Sequence, residues 1–75
     1  MTLTDLPVGI EAQIVELRGG FGMQRHLISL GIVPGKFIRK IATQPIGGPI
    51  IVKVEGARIA IGRGIARRTI VRKAI

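Results

Sequence analysis

Cysteine, tryptophan and tyrosine are all absent from this 75-residue chain, and histidine and serine occur once each, at His26 and Ser29. Without thiols there is no disulfide and no thiolate metal site, a composition that suits a reducing compartment. A Ser-His nucleophile would have to come from His26 and Ser29 alone, and no carboxylate is placed to orient the imidazole. Acids are scarce: Asp5, Glu11, Glu16 and Glu55 make up the whole set. They form neither a DxD nor an ExxH spacing, whereas hard cations need clustered oxygens and zinc needs N or S donors at short spacing. Catalytic residues, a metal site and a cofactor are therefore not expected. Long apolar runs are missing too. The longest stretch of Ile, Val and Leu is Ile50 to Val52, far short of the roughly 20 residues a membrane helix needs. The opening MTLTDLPVG lacks the basic-then-apolar order of a secretory leader, so the expected location is the cytoplasm.

Positive charge is what the chain has in excess. Twelve Lys and Arg against four acids give a formal charge of +8. After Glu55, the cations Arg58, Arg63, Arg67, Arg68, Arg72 and Lys73 meet no acid at all. Such a surface attracts something negative: nucleic acid, the anionic inner leaflet, approached without insertion, or an acidic protein face. The alternative is that a small, very apolar domain carries charge to stay soluble. Hydrophobic residues make up 47% of the chain, with only two phenylalanines, so packing is aliphatic. Residues 1–75 suffice for one small domain, which buries only about 60% of its unfolded surface.

Periodicity places one helix among strands. Met23, Leu27 and Leu30 recur at i, i+4 and i+7, the stripe of an amphipathic helix, and Gly31 supplies the left-handed residue that commonly ends one. Pro34 and Gly35 then turn the chain. Before the helix, Leu3 to Gly9 reads as an entry segment. Ile10, Ala12 and Ile14 alternate inward until the phase slips to Val15 and Leu17, which predicts a bulge. Strand two covers Lys36 to Thr43 and also bends, with Phe37 assigned to the core. Gln44 to Pro49 is turn-rich. Ile50 to Glu55 is the clearest strand, and Glu55-Gly56 reverses it into a hairpin with Ala57, Ile59 and Ile61 inward. Gly62 to Arg68 suits a single 3₁₀ turn, and Thr69 to Lys73 closes the chain as a fifth strand.

Five short, bent strands with no tolerable free edge should curl into a mainly β, five-stranded SH3-like barrel, with one short α-helix after the first strand and a 3₁₀ turn before the last. An OB-type barrel would put its helix between the third and fourth strands. Oligomeric state is not legible, although an edge along Lys36 to Thr43 is a candidate for pairing between copies. Basic barrels that bind single strands stack bases on aromatics. Here only Phe21 and Phe37 are available, so nucleic acid is the second reading. The Gly-rich run from Arg18 to Gly22 sits between a strand and a helix, the place of a phosphate cradle, but no P-loop Lys-Ser/Thr follows it.

Several stretches together resemble the FeoA family of small cytoplasmic components of bacterial and archaeal ferrous-iron uptake. They are Leu6-Pro7-Val8-Gly9, then Leu27 to Gly35 (LISLGIVPG), Pro45 to Ile50 (PIGGPI), and Ile59-Ala60-Ile61-Gly62-Arg63 leading to Ala66. The resemblance covers nearly the whole chain. It implies an SH3-like barrel without catalytic residues, acting as an accessory protein that docks on the cytoplasmic G-protein part of the large FeoB-type transporter. Similar barrels form the C-terminal domain of iron-dependent repressors, but the DNA-binding segments of such repressors have no counterpart here. A partner would read the helix and the corner after it: Gln24, Arg25, His26, Leu27 and Ile28, with Gly31, Pro34 and Gly35. Ile28 is either an exposed hot spot or, as burial statistics favour, more core. Arg39, Lys40, Arg67, Arg68 and Arg72 form the expected steering surface toward an acidic face or the inner leaflet.

Overall fold

The computed structural model describes residues 1–74. Its elements are β1 (Glu11–Leu17), α1 (Phe21–Ser29), β2 (Phe37–Thr43), β3 (Ile50–Val54), β4 (Ala57–Ile61), α2 (Arg63–Arg67) and β5 (Thr69–Lys73). The strands form one antiparallel sheet in the order β4-β3-β2-β1-β5. This is the mainly β architecture expected, with the helix after the first strand. Two register shifts bend the sheet, one between Ile14 and Glu16 against β5 and one between Lys40 and Ala42 against β3. An extra residue on one strand sharpens its twist, and both bends fall where the apolar phase slips. At the first bulge Val15 swings out to solvent while Leu17 returns to the core, so Val15 is not the inward residue that alternation predicts. Ile10 likewise precedes the strand and is exposed.

The core is aliphatic throughout: Ile14, Leu17, Ile38, Ile50, Val52, Ile61 and Val71 from the sheet meet Leu27 from α1 and Ala66 from α2. Leu3 and Leu6 belong to it as well, which makes the entry segment structural. The Leu3 amide donates to the Thr69 carbonyl at 2.8 Å and the Val71 amide to the Met1 carbonyl at 2.8 Å, so the first residues cover the outer edge of β5. The Thr2 amide and hydroxyl both donate to Asp5 Oδ2, and these bonds hold the Asp5 carboxyl below its ordinary value.

Three expectations are corrected. β2 is an interior strand flanked by β1 and β3, so it offers no edge for pairing between copies. Closure is incomplete: among the described residues no ladder joins β4 to β5, and α2 makes that connection. The segment before β5 is α-helical rather than 3₁₀. Its first bond runs from the Ala66 amide to the Gly62 carbonyl at 2.9 Å, an i to i−4 bond, and the buried Ala66 side chain pins it to the core.

A candidate protein-docking face

The face is built by the way α1 ends. Gly31 donates its amide to Ile28 O at 2.9 Å and Ile32 donates to Leu27 O at 3.0 Å, the paired bonds of a Schellman cap with Gly31 at φ +90°. Leu27 and Ile32, the two apolar residues of that cap, are both buried. The turn that follows is closed by Lys36 N–H to Val33 O at 3.0 Å. Gly35 then donates to Ile14 O at 2.7 Å and locks the corner onto β1. At the other end of the helix, Gly19 holds φ +121°, a conformation L side chains rarely adopt, with the tip of Met23 packed against it. Gln24 reaches back to the Gly19 carbonyl at 3.0 Å.

With Met23 and Leu27 turned to the core, the opposite side of α1 carries Phe21, Arg25 and Ile28 at i, i+4 and i+7. Phe21 is 78% exposed and Ile28 48%. Ile28 is thus exposed, which corrects the core reading that burial statistics favoured. Leu27, placed in the docking set from the sequence, is 1% exposed and serves as the anchor beneath the face instead. Leu30 lies at the helix C-cap, just before the left-handed Gly31, and is partly exposed rather than fully inward. Arg25, His26, Pro34 and Gly35 are exposed, Gln24 is half-buried, and Gly31 is partly covered. The Ser29 hydroxyl donates to the His26 backbone carbonyl at 2.6 Å, so it is engaged with the main chain and not with the imidazole.

The steering cations are not equivalent. Lys40 is buried and donates from Nζ to the Thr4 carbonyl at 2.9 Å. Burial, and then the nearby Arg63 charge, lower its pKa from the ordinary lysine value. It is a structural residue: strand alternation puts its side chain on the same inward face as Ile38, and both are buried. Arg39 is exposed and lies 3.7 Å from Glu11 while donating to Gly9 O. Arg72 donates to Gln13 Oε1 at 2.8 Å. Arg67 and Arg68 are exposed on and after α2.

Two exposed side chains escaped the sequence reading. Phe21 was legible as the first member of the i, i+4, i+7 set, but the inward stripe took precedence. Phe37 is 51% exposed on the outer side of β2 and not in the core. It borders a shallow open depression of about 540 Å3 lined also by Lys36, Arg39, Lys53 and Glu55. Among the described residues no three His, Asp or Glu side chains converge as a metal site would require.

Comparison with known proteins agrees with this architecture. Over 66 residues the chain is 36% identical to Fe(2+) transport protein A of Methanocaldococcus jannaschii, covering 88% of this chain and 78% of that protein. A crystal structure of an iron uptake regulatory protein, FeoA, superposes with a TM-score of 0.89 at 38% identity, over 97% of this chain and 96% of the other. FeoA of Stenotrophomonas maltophilia, crystallised as a zinc complex and described as a prokaryotic SH3 domain protein, gives a TM-score of 0.76 at 33% identity, over 95% and 88% of the two chains. The FeoA domain model matches residues 1–73, and with the helix, corner and five-stranded order all in place the chain belongs to the FeoA family.

Proposed function

We propose that this chain is a non-enzymatic, cytoplasmic accessory protein of ferrous-iron uptake that docks on the cytoplasmic G-protein part of an FeoB-type transporter. One observation carries the reading: α1 spends Met23 and Leu27 on the core and leaves Phe21, Arg25 and Ile28 outward in a single stripe. A partly apolar stripe with a cation at its centre, free of acids, fits a hot-spot contact to an apolar patch rimmed by carboxylates. Family membership supports the iron-transport setting, and the excess of cations supports an acidic partner face near the inner leaflet. Pull-down with the transporter's cytoplasmic domain, in each nucleotide state, tests it. Wild type should bind, while Ile28→Asp and Arg25→Glu should each weaken binding at least tenfold. Absence of wild-type binding in every nucleotide state would overturn the reading.

A second reading is favoured by one specific observation, the exposure of both phenylalanines. Phe37 beside Arg39 and Lys53 offers an exposed aromatic ring next to cations, the combination that single-stranded nucleic acid uses. Filter binding across a salt series decides this one. Affinity that is undetectable even at low salt removes it.

A further inference from the structure

The outward face of the sheet carries an unbalanced row of charge. Register places Glu11 opposite Arg39, Arg39 opposite Lys53, and Lys53 opposite Arg58, so one line crosses four strands as acid, cation, cation, cation. Like charges directly opposite one another on neighbouring strands are unfavourable. Glu11 closes the row at the β1 end; at the β4 end, Arg58 makes no ion pair with any described acid.

That end of the row is also the sheet's open edge. The outer side of β5 is covered by residues 1–3, but no backbone hydrogen bond from any described residue reaches the outer side of β4. In a hairpin with a two-residue turn the pair flanking the turn, Val54 and Ala57, exchanges hydrogen bonds, and the bonding alternates from there. The N–H and C=O groups of Arg58 and Ala60 therefore point away from β3, toward solvent. Next to the cationic row runs a second outward row, Ala42, Ile51 and Ala60, all apolar.

We infer that β4 takes an added strand from a partner protein: an extended segment with an acidic residue opposite Arg58 and a large apolar residue two positions away, over Ala60 and Ile51. Main-chain bonds to Arg58 and Ala60 supply affinity, and the alternate side chains supply selectivity. The acid terminates the charge row at the end Glu11 does not reach. A second copy of this chain is a poor occupant, because antiparallel pairing of two β4 strands brings two such cationic rows together. The inference rests on the reading that the chain works through protein contacts, but it uses a surface separate from α1.

The probe is a capped peptide, Thr-Thr-Leu-Thr-Glu-Thr-Thr, titrated into the full chain and followed by amide chemical shifts. Saturable shifts centred on Arg58 and Ala60 are expected, with at least tenfold weaker binding when Lys replaces the peptide's Glu. Arg58→Glu should reverse that preference. Ala60→Pro, which removes an edge N–H, should weaken binding at least tenfold. The same loss should follow N-methylation of the peptide backbone, an arm that leaves the protein's fold untouched. Binding indifferent to N-methylation, shifts centred on α1, or concentration-dependent self-association that shifts β4 without peptide would each overturn the inference. Because Ile28→Asp should not alter peptide binding, failure here and failure of transporter docking are separable.

Discussion

Leu27 and Ile32 are joined twice, by the amide of Ile32 donating to the carbonyl of Leu27 at 3.0 Å and by burial of both side chains in the same core. Gly31, between them, makes this possible at φ +90°. An added Cβ there would find only Val54 Cγ1 at 4.0 Å, an ordinary contact. Gly31→Ala should therefore cost about 1–2 kcal/mol, the backbone penalty of a left-handed L-residue, measured by urea unfolding. A loss above about 4 kcal/mol would mean that packing and not backbone conformation dominates.

Adjacent residues on α1 should behave oppositely. Leu27→Ala should cost about 2–5 kcal/mol, enough to threaten a domain this small. Ile28→Ala should stay within about 0.5 kcal/mol, as exposed substitutions do. Thermal unfolding by circular dichroism separates the two, and equal losses would contradict the assigned helix faces.

Phe37→Ser tests the most consequential reversal between pattern and structure. If the ring belonged to the core, truncation would cost about 3–5 kcal/mol. Half exposed on the outer side of β2, it should cost below about 1.5 kcal/mol, read from the urea midpoint.

Lys40 gives the fold a pH dependence of definite sign. Its pKa in the folded chain lies below the unfolded value of 10.5 because burial disfavours the cation. The unfolded chain thus binds the proton more tightly, and wild-type stability rises as pH climbs from the lowered folded value toward 10.5. Lys40→Met removes this dependence. The difference between wild type and Lys40→Met should shift in favour of wild type between pH 7 and pH 10 in paired urea titrations. A constant difference would show that Lys40 titrates normally.

Arg63 donates from Nε to Gly48 O at 2.9 Å and from a terminal nitrogen to Gln44 O at 3.0 Å. These bonds hold the loop whose tip, Ile46, is fully exposed at φ +58°. A β-branched residue in the left-handed region is a backbone outlier. Arg63→Ala should release it, seen as faster amide exchange at Gln44, Ile46, Gly47 and Gly48, with β1 and β5 unchanged.

The strands, α1, the bulge in β1, the bend in β2, the Glu55-Gly56 reversal and the glycine cap were legible because each is local. Alternation, its slips and the turn residues report on neighbours a few positions away. The aliphatic interior was legible for the same reason. Phe37 was not, because alternation on β2 offers two mixed faces, Phe37 with Arg39 and Ile38 with Lys40, and nothing local ranks them. The candidate docking face divided similarly. The helix and its corner followed from spacing, whereas the exposure of Ile28 and Phe21 depended on how deeply Met23 and Leu27 seat.

From residue order alone came a cationic, aliphatic, mostly β domain with one capped helix, since periodicity and turn chemistry act over short range. Long-range packing settled the rest: which side of β2 faces inward, that Lys40 sits inside against Thr4, that residues 1–3 cover β5, and that β4 keeps its edge open. Those outcomes depend on which distant surfaces meet. Free energies of burial and main-chain pairing are decided between strands far apart in the chain, where no local pattern records them.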